Sequence, residues 1–164
     1  MKILAVDPGP TTGFAVYDDS TRKYSCWMEE LFGVNSRLVE NGAHDHLWNV
    51  LSTVDFDILI VEKFEFRKDD VRTREKIDLR AAEFVGVCML YAQQNPHVKL
   101  VMQGSNQACG TSSFWGDWKV GNQRLRTLGV WDSKAHPHGI DALRHLMYYV
   151  TFTLNDKEMI LKLR

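Results

Sequence analysis

Cysteine is scarce in this chain: Cys26, Cys88 and Cys109 are the only three in 164 residues. Their number is odd and none has Cys-x-x-Cys spacing, so neither a disulfide framework nor a structural zinc cage is indicated. They are expected to be reduced and structural. A dominant charge is also missing, since 20 basic residues face 21 acidic ones and the formal net charge is −1. That balance excludes a uniformly basic footprint for nucleic acid, so any such binding has to come from local patches. Long apolar runs are absent too. Between Lys2 and Asp7 only Ile3, Leu4, Ala5 and Val6 are apolar, too few for the core of a secretory signal, and no later run reaches membrane-spanning length. A soluble, cytoplasmic protein with no membrane partner is expected. No internal repeat or low-complexity tract is visible.

What is present suits one globular domain over residues 1–164, with 45% hydrophobic and 25% charged residues. Residues 3–6 form a continuous apolar run, the pattern of a central strand covered on both faces, and the run ends at Asp7. Pro8, Gly9 and Pro10 force a turn. Residues 13–17 and 24–31 read as further strands separated by the turn-forming residues 18–21. Asn35 or Ser36 is a possible cap for a helix carrying Leu38, Val39, Leu47, Trp48, Val50 and Leu51. Residues 57–64, DILIVEKF, are a second buried-looking strand that Glu62 closes much as Asp7 closes the first. From 74 to 94, Ile77, Ala81, Phe84, Val85, Cys88 and Tyr91 follow helical spacing, ended by Asn95 and Pro96. Residues 98–102 predict a short strand, 103–118 a loop, 120–128 a short helix, and 139–154 a last helix preceded by Pro137. The order implies a mixed sheet flanked by helices.

A carboxylate at the end of a buried strand must be solvated, paired or bound to a cation, because burying it bare is too costly. If the strands ending at Asp7 and Glu62 are parallel neighbours, both acids lie beyond their carboxyl ends, where ligands bind in open sheets. The last helix brings a third acid: His138, Asp141 and His145 fall within about 60° of one another on a 3.6-residue turn. Each has an ordinary explanation. Asp7 can cap a turn, Glu62 can pair with Lys63 or an arginine, Asp141 can complement a helix start, and the histidines can be packed or exposed imidazoles. Together they suggest more. Clustered carboxylates repel unless cations lie between them, and Asp and Glu oxygens with one His suit Mg²⁺ or Mn²⁺. Two such ions serve phosphodiester hydrolysis.

DPGPTTGFAV at residues 7–16, the ILIVEKF strand and HGIDALRH at 138–145 together resemble the RuvC family of Holliday junction resolvases, within the RNase H-like superfamily. The resemblance implies an α/β fold with an RNase H-like, mixed five-stranded sheet flanked by helices. It implies two Mg²⁺ or Mn²⁺ ions held by Asp7, Glu62, His138 and Asp141, which would be both metal ligands and catalytic residues. It also implies a homodimer acting on branched DNA. The commonest family pattern has Asp where this chain has His138, which makes His138 a ligand or a water-orienting base. The loop before Thr12 and Gly13 is a residue shorter than the family's, and the Trp-rich stretch 114–131 is unfamiliar. A short chain with such a divergent segment suggests a phage-type member.

Two stretches are candidates for DNA contact. Residues 67–80 hold six basic against four acidic residues, including Arg67, Lys68, Arg72 and Arg74, and residues 119–144 hold five against two, including Lys119 and Lys134. An ion-pair-laced helix start explains the first stretch equally. Phe64 and Phe66 are candidates to wedge against bases, as the resemblance implies for an aromatic in that loop, although Phe64 also suits a core position. The stripe of Ile77, Phe84, Cys88 and Tyr91 fits either a dimer contact or packing on the chain's own sheet. Other functions stay open: a less selective DNA or RNA nuclease, a non-catalytic junction-binding protein, or a nucleotide-binding module, since a similar turn opens the phosphate loops of actin-like ATPases.

Overall fold

Two apolar strands that each close on an acid lie side by side at the centre of the sheet. The computed structural model describes residues 1–31, 42–65, 79–108, 114–131 and 134–163. Strands β1 (Lys2–Asp7), β2 (Thr11–Asp18) and β3 (Lys23–Glu30) form an antiparallel meander, and β4 (Ile58–Glu62) and β5 (Lys99–Gln103) extend it in the order β3-β2-β1-β4-β5. β4 runs parallel to both β1 and β5. The sheet is therefore mixed and five-stranded, as the sequence predicts.

Pleating sends alternate side chains to opposite faces. Ile3, Ala5, Ile58 and Ile60 pack on one side with Leu143, Leu146 and Met147; Leu4, Val6, Leu59 and Val61 pack on the other with Leu47, Phe84 and Cys88. This is why the two central strands are apolar throughout. The first face is covered by α5 (Pro137–Tyr148) and by α4 (Trp118–Leu128); the second is covered by α1 (Ala43–Thr53) and α2 (Arg80–Gln94). Two short helices, α3 (Ser105–Ala108) and α6 (Lys157–Lys162), complete the described elements together with a π-helical turn at Tyr149–Thr153.

The structure refines several sequence expectations. The caps Asn35 and Ser36 and the stretch 66–78 lie outside the described residues; α1 and α2 are described from Ala43 and Arg80. Phe84, Cys88 and Tyr91 are buried against the chain's own sheet, so these three are core and are not available to a second copy, while Ile77 lies outside the described residues. The expected loop at 103–118 contains α3 and the fully buried Trp115, which fills space between α4 and the sheet. α4 starts at Asp117, whose carboxylate accepts from Val120 N at 2.9 Å, and stops at Gly129, whose φ of 77° is the left-handed conformation glycine adopts readily. The final helix is α-helical only to Tyr148. Its π turn carries Phe152 to 4.6 Å, ring to ring, from Phe114.

The DPGPTTG turn has two physical requirements. Thr12 is fully buried and its hydroxyl donates to Gly9 O at 2.6 Å, stapling the turn across Pro10. Gly13 faces α5 so closely that a Cβ there would lie 2.0 Å from the carbonyl oxygen of His138. Gly139 meets the sheet in the same way, because a Cβ on it would lie 2.9 Å from Trp27 O. Since the obstacle is backbone, the helix would have to move. Gly13→Ala should destabilise the fold by about 3 kcal/mol, read as a lower urea midpoint at unchanged slope; an unshifted midpoint would show that the helix does not need this approach.

Candidate active site

One cross-strand row builds the site. Asp7 pairs with Gly13 across β1 and β2, Glu62 pairs with Gln103 across β4 and β5, and the β1 and β4 registers run together up to Val6 and Val61, one position before the two acids. Asp7 continues the face of Ile3 and Ala5, and Glu62 that of Ile58 and Ile60. Both acids therefore point toward α5. Helix α5 begins at Pro137, suited to the first helical position, with the His136 side chain accepting from His138 N. Its 3.6-residue period then lays His138, Asp141 and His145 along the side that crosses the row.

Each acid meets a different partner. His138 Nδ1 lies 3.1 Å from Asp7 Oδ2. His145 Nε2 lies 3.2 Å from Glu62 Oε2, while its Nδ1 lies 2.7 Å from Gln103 Oε1. The Arg144 guanidinium donates from NH1 to Asp141 Oδ1 at 2.7 Å and from NH2 to Asn122 Oδ1 at 2.8 Å and Trp118 O at 3.3 Å. Around them a cleft of about 330 Å³ is lined by Asp7, Glu62, Lys63, Phe64, Glu65, His138 and Asp141, with Ala81, Val85 and Ser105 closing the side toward α2 and α3.

Burial in this cleft raises the Asp7 carboxyl from its usual 3.8 to about 7; its hydrogen bond with His138 opposes the rise, while the nearby Glu62 and Asp141 carboxylates reinforce it. His138 is raised above its usual 6.5, chiefly by the hydrogen bond to Asp7, with burial acting in the opposite direction. Both groups of the pair therefore hold their protons to higher pH than isolated side chains would.

The donor set fits a hard divalent cation: carboxylate oxygens from three elements and an imidazole at the cleft mouth, around a central acid whose ionisation is held back chiefly by burial. Among the described residues, no three His, Cys, Asp or Glu side chains are grouped closely enough to hold one ion as placed. Asp7, Glu62 and Asp141 are instead each engaged with a protein partner, His138, His145 and Arg144 respectively. Of the DNA-contact candidates, Phe64 lines the cleft and Lys119 and Lys134 are exposed. Phe66, Arg67, Lys68, Arg72 and Arg74 lie outside the described residues. Gln103 and Arg144 were not legible as site residues, although Gln103 ends the apolar β5 as Asp7 and Glu62 end theirs, and Arg144 stands three residues after Asp141.

The fold is RuvC-like: an RNase H-like α/β arrangement with the acids at the carboxyl ends of its central strands. Thermus thermophilus RuvC in complex with a Holliday junction substrate superposes with a TM-score of 0.65 at 16% identity, covering 95% of this chain and 97% of that one. A second Thermus thermophilus RuvC structure gives 0.63 at 15% identity, covering 93% and 97%. The sequence matches no protein-family model and no curated protein. No helix among the described residues is long and apolar enough to cross a membrane.

The proton on Asp7 and His138 has a measurable consequence. A carboxyl whose folded pKa is raised disfavours folding progressively as pH climbs from its ordinary value to the raised one, and a raised histidine loses its stabilising contribution as pH rises through its folded value. Both act in one direction. The metal-free protein should lose about 2 kcal/mol or more between about pH 5 and pH 8, and Asp7→Asn should flatten that decline and be the more stable protein at the alkaline end. Urea unfolding across pH checks this; parallel profiles for both proteins would contradict it.

Proposed function

We propose that this chain is a divalent-metal-dependent endonuclease that cuts branched DNA, Holliday junctions above all. The observation that supports it most is the convergence of Asp7 and Glu62, from adjacent parallel strand ends, with the His138 and Asp141 face of α5 in one cleft. The RuvC-like fold supports it independently. Asp7, Glu62, His138 and Asp141 would hold two Mg²⁺ or Mn²⁺ ions. Bound there, the ions would supply Lewis-acid activation of the attacking water and charge stabilisation of the leaving oxygen.

The remaining work falls to the protein. Asp7, only 15% exposed, gives the site a rigid centre at the end of a core strand. His138, 45% exposed at the cleft mouth, can offer a nitrogen donor or take a proton from water once its contact with Asp7 is relaxed. Arg144 holds one Asp141 oxygen at 2.7 Å, on the α5 face that lines the cleft. Phe64, on the cleft wall, would press against unstacked bases at a branch point, with Phe66 just beyond it in sequence. Lys119 and Lys134, with Arg67, Lys68, Arg72 and Arg74, would hold phosphates.

Cutting two strands of a four-way junction requires two such sites, and a homodimer is the proposed assembly. Since Phe84 and Cys88 are core, the apolar surface left for it on α2 is Met89 and Leu90, exposed at 49% and 47%. Incubation with a synthetic four-way junction, duplex, flap and RNA in Mg²⁺ or Mn²⁺ tests the proposal. Preferential junction cleavage is expected, and Asp7→Asn should reduce it by more than about a hundredfold, beyond the usual cost of losing a ligand's supporting hydrogen bond, while retaining junction binding. Equal cutting of every substrate would remove the junction preference, and undiminished cutting by the variant would remove the mechanism.

A further inference from the structure

Inside the interface between α5 and the sheet, His145 is completely buried, yet both of its ring nitrogens are engaged. We propose that His145 is a positioning residue for Glu62, gripping one carboxylate oxygen from behind while Gln103 fixes the ring. This deepens the nuclease reading and rests on it, because it concerns how a proposed metal ligand is held.

The location argues for a role of this kind. His145 sits among Ala142, Leu143, Leu146 and Met147, all buried, where an apolar side chain would pack without the cost of desolvating two ring nitrogens. Its partners are the last residues of two adjacent strands, Glu62 and Gln103, which are register partners across β4 and β5. The imidazole spans them, with Nδ1 at 2.7 Å from Gln103 Oε1 and Nε2 at 3.2 Å from Glu62 Oε2. Gln103 is itself 2% exposed, so the ring has a fixed support rather than a mobile one.

Carboxylates that ligate metals are commonly steered by such outer hydrogen bonds, whose loss costs roughly 10–100-fold in metal affinity or activity. A histidine that only tied the helix to the sheet would affect folding and leave cation affinity alone. The two roles therefore separate in a titration without DNA.

Mn²⁺ binding to the full chain, followed by calorimetry alongside urea unfolding, provides the test. His145→Phe fills the space without either hydrogen bond, whereas His145→Gln keeps an N–H donor for Glu62. The expected result is Mn²⁺ affinity weakened roughly 10–100-fold in His145→Phe and largely recovered in His145→Gln. Wild-type affinity in a folded His145→Phe protein would overturn the proposal. If His145→Phe does not fold, Gln103→Met decides: weaker Mn²⁺ binding at unchanged stability supports the positioning role, and unchanged binding overturns it. Absence of Mn²⁺ binding in the wild type would instead overturn the metal reading, and this inference with it.

Discussion

The close passage of α5 over β2 is the constraint on which the site depends. At Gly13 the sheet gives up a side chain so that the His138 carbonyl can occupy its place, and Gly139 makes the matching concession against Trp27. Only at that separation can side chains from the first turns of α5 reach the ends of β1, β4 and β5. The staple from Thr12 to Gly9 then shapes the turn joining Asp7 to Gly13. The distinctive Gly13 and Thr12 of DPGPTTG thus act by steric exclusion and local hydrogen bonding, and the carboxylate they position is Asp7.

Three acids so near one another create an electrostatic problem that the protein answers three ways. Asp7 shares a proton with His138, Glu62 leans on a buried histidine, and Asp141 is paired with a buried arginine anchored to α4. Burial and the neighbouring Glu62 and Asp141 carboxylates still raise the Asp7 carboxyl, so the compensation is incomplete. Sites that retain poorly compensated charge commonly trade stability for function. The Trp-rich segment belongs to the same arrangement, since Trp115 seats α4 in the core while Asn122 and the Trp118 carbonyl meet Arg144.

Much of the fold was legible because its main signals are local. Continuous apolar runs ending in acids mark the central strands, and the 3.6-residue helix period groups His138, Asp141 and His145, but the parallel pairing that brings Asp7 beside Glu62 is a conditional step in sequence, and the four-residue set comes from the family resemblance. Arg144 counts in sequence only as one of the five basic residues of 119–144, because a charge in sequence does not reveal whether it faces water or a buried acid. Gln103 carries no charge, and its significance comes from the register with Glu62, which only the paired strands define. The π turn after Tyr148 and the burial of Trp115 depend on long-range aromatic packing that helical periodicity does not encode.

Crystals soaked in Mn²⁺ and measured by anomalous diffraction give the most direct view of the central claim. The account predicts two peaks in the cleft, each about 2 Å from carboxylate oxygens of Asp7, Glu62 or Asp141. A cleft without anomalous signal at saturating Mn²⁺, or peaks only at surface acids remote from Asp7, would contradict it.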